Sequence, residues 1–387
     1  MKAGGAVLAA ALLGVPALAP AAAAADPVLP PVGGVLYVTN ADSGDVSSMA
    51  IGREGTLSLL DTPVKTGGCL DGIGLGCKPR GIALTPNGAT AYVVNSDSDT
   101  IAVLRVGVRG VLQPHPQIVY TGDEPWGATV SPDGRTLYVT NTGAPAVTAY
   151  HINADGTLGK PAVFETNSDH PKVTVLSPDG RFLYLSYADS EETEDSPQRP
   201  ITRYAVLPNG SLVHPQDVAM VDPANYGMTM SPDGGLLYVT SNVAQNVRGF
   251  RVGADGSLKP VPGLPDFVPD AVGLEVTPDG RHLYVCANLE LDQPHTGLFG
   301  FTIHADGSLT PTADSPARTL GTADVAITPD GRDVFANIQD ASKVAAFAIG
   351  SGGTLTEAPD SPFKTGGLRP LSQSLAIRPV PATNTPQ

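Results

Sequence analysis

Arg80, Trp126, Lys172 and Tyr226 occupy equivalent places along this chain, and Val272, Ala323 and Gln373 continue the series. Two of the seven are cations and two are broad aromatic surfaces. His170 precedes Lys172 by two residues, and Glu275 and Asp324 are carboxylates in segments otherwise built from small residues. Gathered together, they would make a pocket. Arg80, Lys172 and His170 would hold an anion, Trp126 and Tyr226 would give flat walls, and Glu275 or Asp324 would supply a base or a hydrogen-bond acceptor. The alternative is that these side chains simply face a wet channel, paired with each other or with water.

What places them is a hairpin that recurs seven times. One copy reads Ser131-Pro132-Asp133-Gly134-Arg135-Thr136-Leu137-Tyr138-Val139-Thr140-Asn141, and its aromatic position falls at Tyr37, Tyr92, Tyr138, Tyr184, Tyr238, Tyr284 and Phe335. The gaps of 55, 46, 46, 54, 46 and 51 residues are those of a propeller, solenoid or array. Each full repeat carries four short apolar runs. Pro sets the first turn dihedral and Gly supplies the positive one, so consecutive runs fold back antiparallel. Four such strands make a blade. The N-terminal Leu36 run is a second strand lacking a first, and Gln373 to Arg378 is a first strand lacking a second. The two complete one blade and close the ring without an open edge. The expected architecture is therefore an all-β, seven-bladed β-propeller over residues 35–379.

That topology sorts the loops. Both glycine turns of each blade lie on a repetitive lower face. The upper face carries the irregular segments: the Cys69–Cys77 loop, the insertion from Ala188 to Pro200, and Asn288 to Gly297. Function concentrates on variable loops carried by a rigid frame. The first strands line the channel and begin at its upper mouth, where Arg80 and its equivalents stand.

Residues 1–25 carry Lys2 as their sole charge and end in Ala23-Ala24-Ala25, which reads as a secretory signal peptide. A membrane anchor is the alternative, although the apolar stretch is short and rich in Ala. Residues 26–34 would then be a linker and 380–387 a tail, and the protein would be secreted, as a monomer. The formal charge is −15, one unit more negative without Lys2. An acidic chain without Lys/Arg runs is a poor partner for nucleic acid. Cys69 and Cys77 would bridge in an oxidising compartment, with two free thiols as the alternative. Cys286 stands where Thr140 stands in the hairpin and reads as a buried thiol.

Other chemistry finds little support. Asp189, Glu191, Glu192, Glu194 and Asp195 could offer oxygens to calcium, but their spacing matches no EF-hand loop and a solvated acidic loop is the simpler reading. No nucleophile elbow, His-Glu-x-x-His or nucleotide P-loop is present, and no cofactor or metal is expected.

The runs Leu36-Tyr37-Val38-Thr39-Asn40 and Leu137-Tyr138-Val139-Thr140-Asn141 look like the YVTN-type propeller repeat. Together with the Asp155-Gly156-Thr157-Leu158, Asp255-Gly256-Ser257-Leu258 and Asp306-Gly307-Ser308-Leu309 turns, they resemble the seven-bladed lactonase family, which includes 6-phosphogluconolactonases. The resemblance implies channel-mouth His, Arg and Glu. A His-Pro-His-like start corresponds to His170-Pro171-Lys172, and a Gly-Pro-Arg-His start to Lys78-Pro79-Arg80-Gly81; the expected Glu falls at Ser96. The set is thus incomplete at matching positions, with Glu275 a spatial stand-in. The expectation is a small anionic or sugar-derived ligand, with His170, Arg80 and Glu275 catalytic if a lactone is hydrolysed, and Lys172, Trp126, Tyr226 and Asp324 binding. A non-catalytic extracellular binding propeller is the competing class, and a cell-surface structural protein a third.

Overall fold

Seven antiparallel sheets surround one channel in the computed structural model, which describes residues 33–67, 78–189, 191–288 and 297–378. The proposed signal peptide, the Cys69–Cys77 pair, most of the 288–297 insertion and the 380–387 tail lie outside the described residues. Blade 3 shows the plan: Pro125–Val130, Thr136–Asn141, Ala146–Ile152 and Leu158–Glu165, paired in that order. Each first strand touches the first strands of both neighbouring blades, so the seven form a closed inner ring.

Closure occurs where the unmatched halves meet. Leu375–Arg378 pairs antiparallel with Gly34–Asn40, placing Val35 opposite Arg378 and Val38 opposite Leu375. One sheet thus contains both ends of the described chain, ordered Leu375–Arg378, Gly34–Asn40, Asp45–Ile51 and Leu57–Leu59. In three blades the outer strand is interrupted, and a two-residue piece resumes pairing with the third strand: Val64–Lys65, Ala317–Arg318 and Phe363–Lys364.

No single central core holds this molecule. Its buried apolar residues fall into layers between neighbouring blades. One joins Tyr92, Val94, Ile101 and Val103 to Leu137, Val139, Tyr150 and Ile152. Another joins Leu36, Val38 and Met49 to Phe335, Val344 and Ala346 across the closure. Both faces of a second strand are therefore dry, which explains its unbroken Leu-Tyr-Val runs where a half-exposed strand would alternate.

Polar atoms inside these layers are answered from the next blade. Each second-strand tyrosine donates its hydroxyl to a glycine carbonyl in the third-to-fourth turn of the following blade: Tyr37 to Gly110, Tyr92 to Gly156, Tyr138 to Gly210, Tyr184 to Gly256, Tyr238 to Gly307 and Tyr284 to Gly353, at 2.7–3.0 Å. The acceptor glycines have φ of 75–87°, the left-handed region that L side chains resist. Phe335, at the closing junction, has no hydroxyl to give. The lower turns are self-braced: Ser131 Oγ donates to Asp133 Oδ1 at 2.6 Å, and Asp133 Oδ1 accepts Arg135 N–H at 3.1 Å.

Replacing Tyr138 by Phe keeps the ring and strands the Gly210 carbonyl in a dry layer. Urea denaturation should show a loss of about 1–2 kcal/mol; an unchanged midpoint would show that the bond contributes nothing net.

Candidate functional site

At the upper mouth, successive first strands deliver cation and aromatic in alternation. Arg80 comes from blade 2, Trp126 from blade 3, Lys172 from blade 4, and Tyr226 precedes the blade 5 strand Met228–Met230. Arg80 Cζ lies 3.6 Å and Lys172 Nζ 3.5 Å from the Trp126 ring centroid. Lys172 Nζ is also 5.5 Å from the Tyr226 ring, and the two rings are tilted at 50° with centroids 6.2 Å apart. Blade order places Trp126 between the two cations, with its face toward positive charge as a π-system prefers.

The repeat itself positions these residues. Thr39 Oγ1 donates to the Arg80 carbonyl at 2.8 Å, Thr140 Oγ1 to the Lys172 carbonyl at 2.8 Å, and Thr240 Oγ1 to the Val272 carbonyl at 2.6 Å. In blades 1, 3 and 5 the threonine of the Tyr-Val-Thr run thus holds the mouth residue of the next blade. Close approach of the inner strands calls for glycine after the mouth residue in four blades, at Gly81, Gly127, Gly227 and Gly273: a Cβ on Gly127 would stand 2.8 Å from the Lys172 carbonyl.

Arg80 and Trp126 line a cavity of about 180 Å³ together with Tyr226, Asn242, Asn288, Gln339 and Ser372. Trp126 Nε1 and Asn242 Oδ1 are buried with no hydrogen-bond partner among the described residues, one donor and one acceptor left for something else to satisfy. Arg80 Nε donates to Ser96 Oγ at 3.2 Å, so the position expected to carry Glu holds the guanidinium instead. Burial pushes Arg80 down to about 10, opposed by the negative charges of Glu124 and Asp97. Burial, then repulsion from Arg80, pushes Lys172 down to about 8, opposed by Glu124, Asp189 and Glu192. Burial drives Tyr226 up to about 12.

The Lactonase, 7-bladed beta-propeller family profile matches residues 73–195 and 201–366. This chain belongs to that family. Solved lactonase-like propellers share its fold. A periplasmic gluconolactonase from Pseudomonas aeruginosa is 21% identical, with TM-score 0.71, covering 90% of this chain and 99% of its own. A Bacteroides fragilis protein with a provisional 6-phosphogluconolactonase assignment is 19% identical, with TM-score 0.73, covering 90% and 98%. No curated protein sequence matches.

Within this lactonase-family propeller the anticipated residues separate into three groups. Arg80, Trp126 and Tyr226 line the mouth cavity, and Lys172 joins them through its contacts with the two rings without lining the cavity itself. His170 does not line the mouth cavity: its Nε2 is 3.1 Å from Asp189 Oδ2 on the rim, and its φ of 57° turns the chain there. Glu275 does not reach the mouth either. It sits three residues further down its strand than the mouth position, half-buried, with Oε2 accepting the Ile327 N–H at 2.8 Å. Asp324 lines a separate channel cavity of about 200 Å³, where Oδ2 accepts the Leu375 N–H at 2.8 Å. Both carboxylates bridge to the next blade's inner strand and satisfy backbone donors there, which corrects the expectation of Glu275 as a mouth base. Gln373 also lines the channel cavity, and Tyr226 lines both.

The acidic insertion is drawn into the rim. Glu192 pairs with Arg199 and accepts the Ala224 N–H, while the Asp189 carbonyl accepts the Tyr226 hydroxyl at 3.3 Å. Among the described residues no three metal-ligating side chains converge.

Asn242, Asn288 and Gln339 were missed from sequence. Each directly follows the second strand of blades 5, 6 and 7, so reading one residue beyond the Tyr-Val-Thr-Asn column would have found them.

Burial pushes Glu275 up to about 8, against the Ile327 N–H and reinforced by Asp324. The folded protein therefore keeps a proton that the unfolded chain releases above its ordinary value of 4.5. Stability from this group is full below that value and falls as pH rises toward 8. Glu275→Gln keeps the acceptor oxygen without the ionisation, so its melting temperature should exceed wild type more at pH 8.5 than at pH 5, by the equivalent of about 1 kcal/mol or more. Equal differences at both pH values would refute the protonated carboxyl.

Proposed function

We propose that this protein opens the ring of a sugar-type lactone at the upper channel mouth. The observation that carries the reading is the pair of cations stacked on Trp126 beside a small cavity also lined by Asn242, Asn288 and Gln339. Each carboxamide can both donate to and accept from a ring hydroxyl. Tyr226 offers an apolar face for a flat ring, while the faces of Trp126 are taken by Arg80 and Lys172. Arg80, held by Ser96 and Thr39, is placed to stabilise negative charge as it develops on the lactone carbonyl oxygen. The family membership and the named activities of the structural neighbours point the same way.

A panel of aldono-1,4- and 1,5-lactones offered to the purified protein tests this. Hydrolysis above the buffer rate is expected for at least one, and Arg80→Ala should lower kcat/KM about 100- to 1000-fold. Hydrolysis at the buffer rate throughout would end the enzyme reading. The separation of His170 and Glu275 from the mouth favours a second reading, a sugar-acid-binding propeller without turnover. Saturable binding of an aldonolactone or its open acid, with no hydrolysis, would select it.

We further propose export with removal of residues 1–25, on the pattern of Lys2, the Ala-rich run and Ala23-Ala24-Ala25. N-terminal sequencing of protein secreted from an expressing cell should begin at Asp26; retention of Met1 would refute it.

A further inference from the structure

The lactonase reading leaves one role empty at the mouth, the base that activates water. His170 is engaged by Asp189 on the rim, Glu275 is spent on Ile327 N–H below, and Asp324 is spent on Leu375 N–H. Lys172 is different. Its residue is 3% exposed, and Nζ donates no hydrogen bond to, and forms no ion pair with, any described residue. Nζ instead rests on Trp126 and Tyr226, two rings that line the cavity where the lactone would sit.

We propose that Lys172 is the general base of lactone opening in this protein, a proposal that rests on the lactonase reading. The neutral amine takes a proton from water while the water oxygen bonds to the lactone carbonyl carbon. The carbonyl electrons move onto oxygen, where Arg80 stabilises them. When the tetrahedral intermediate collapses, the ring C–O bond breaks. The departing ring oxygen takes the proton from the Lys172 ammonium and becomes the hydroxyl of the open acid. The new carboxyl group loses its own proton to solvent, so lactone and water give a hydroxycarboxylate and one proton.

The surroundings suit both halves of that cycle. Before reaction, burial and the Arg80 charge disfavour the ammonium and bring the amine to about 8. The charges facing it are Arg80, Glu124, Asp189 and Glu192, with His170 beyond Asp189. In the transition state Lys172 gains positive charge directly over the Trp126 ring, whose face attracts a cation. The rings thus stabilise the transition state more than the neutral resting amine, which is the condition for rate enhancement.

The test is the pH profile of kcat/KM on whichever lactone wild type hydrolyses, in the intact protein. Wild type should show a limb rising with pH, with a midpoint near 8. Lys172→Arg preserves charge without a usable base; it should lower kcat about 100-fold or more and abolish the limb, with KM changed by less than about threefold. Lys172→Ala should regain activity with added primary alkylamines, in proportion to their basicity; circular dichroism checks its fold. Lys172→Arg retaining both rate and limb would overturn the base assignment while leaving the lactonase intact. Wild type inert on every lactone would remove the reaction itself, and this proposal with it.

Discussion

Hydrogen bonding from each blade to the next governs this structure. Seven sheets stacked around an axis bury apolar surface between them, but apolar surface alone does not set the height or tilt of one blade against another. Directional bonds do. The second-strand tyrosine reaches down to a glycine carbonyl in the following blade, and in blades 1, 3 and 5 the threonine two residues later reaches across to the following blade's mouth residue. In blade 3 a single strand, Thr136–Asn141, holds the lower turn of blade 4 through Tyr138 and the Lys172 carbonyl through Thr140. The asparagine that ends the same run turns inward on its own blade, where Asn141 Nδ2 donates to Thr148 Oγ1 at 2.9 Å. The four-residue signature is thus a set of three distinct attachments around one apolar residue.

Function depends on those attachments directly. Arg80 is held by Thr39, which lies on the strand paired with the C-terminal Leu375–Arg378. Ring closure therefore stands one hydrogen bond away from the mouth. The closing junction is also where the tyrosine is replaced by Phe335. Other bonds serve there: Asn337 Nδ2 donates to Leu371 O and Ser374 Oγ at 2.6 and 2.7 Å, and Asp324 accepts from Leu375 N–H. Side-chain amide and carboxylate chemistry brings the last strand in where phenol chemistry joins the other blades.

Electrostatics at the mouth follow from the same geometry. Two first strands, one on each side of the Trp126 strand, place two cations on one indole, and burial makes their mutual repulsion count. An acidic protein can hold such a pair because Glu124, Asp97, Asp189 and Glu192 surround it without binding Lys172 Nζ. The result is a guanidinium that stays charged beside an amine that titrates much closer to neutrality.

The amino-acid sequence by itself determined the blades, their number and the manner of closure, because strand period, Pro-Asp-Gly turns and complementary end strands are local patterns that only a closed ring satisfies. It also brought Arg80, Trp126, Lys172 and Tyr226 to one register position, since a repeat maps equal sequence offsets to equal heights. What only the tertiary structure decided is which of the equivalent places face each other and which polar groups remain free. Glu275 and Asp324 break the small-residue pattern as functional residues often do, yet each is occupied by a backbone N–H of the adjacent blade, more than fifty residues away in the chain. His170 looks like half of a catalytic pair until Asp189 meets it across the rim. Asn242, Asn288 and Gln339 look like unremarkable loop residues until the ring brings them to the cavity that Arg80 lines. Register is written in the local sequence; availability for chemistry is settled by partners from other blades, and those appear only when the ring closes.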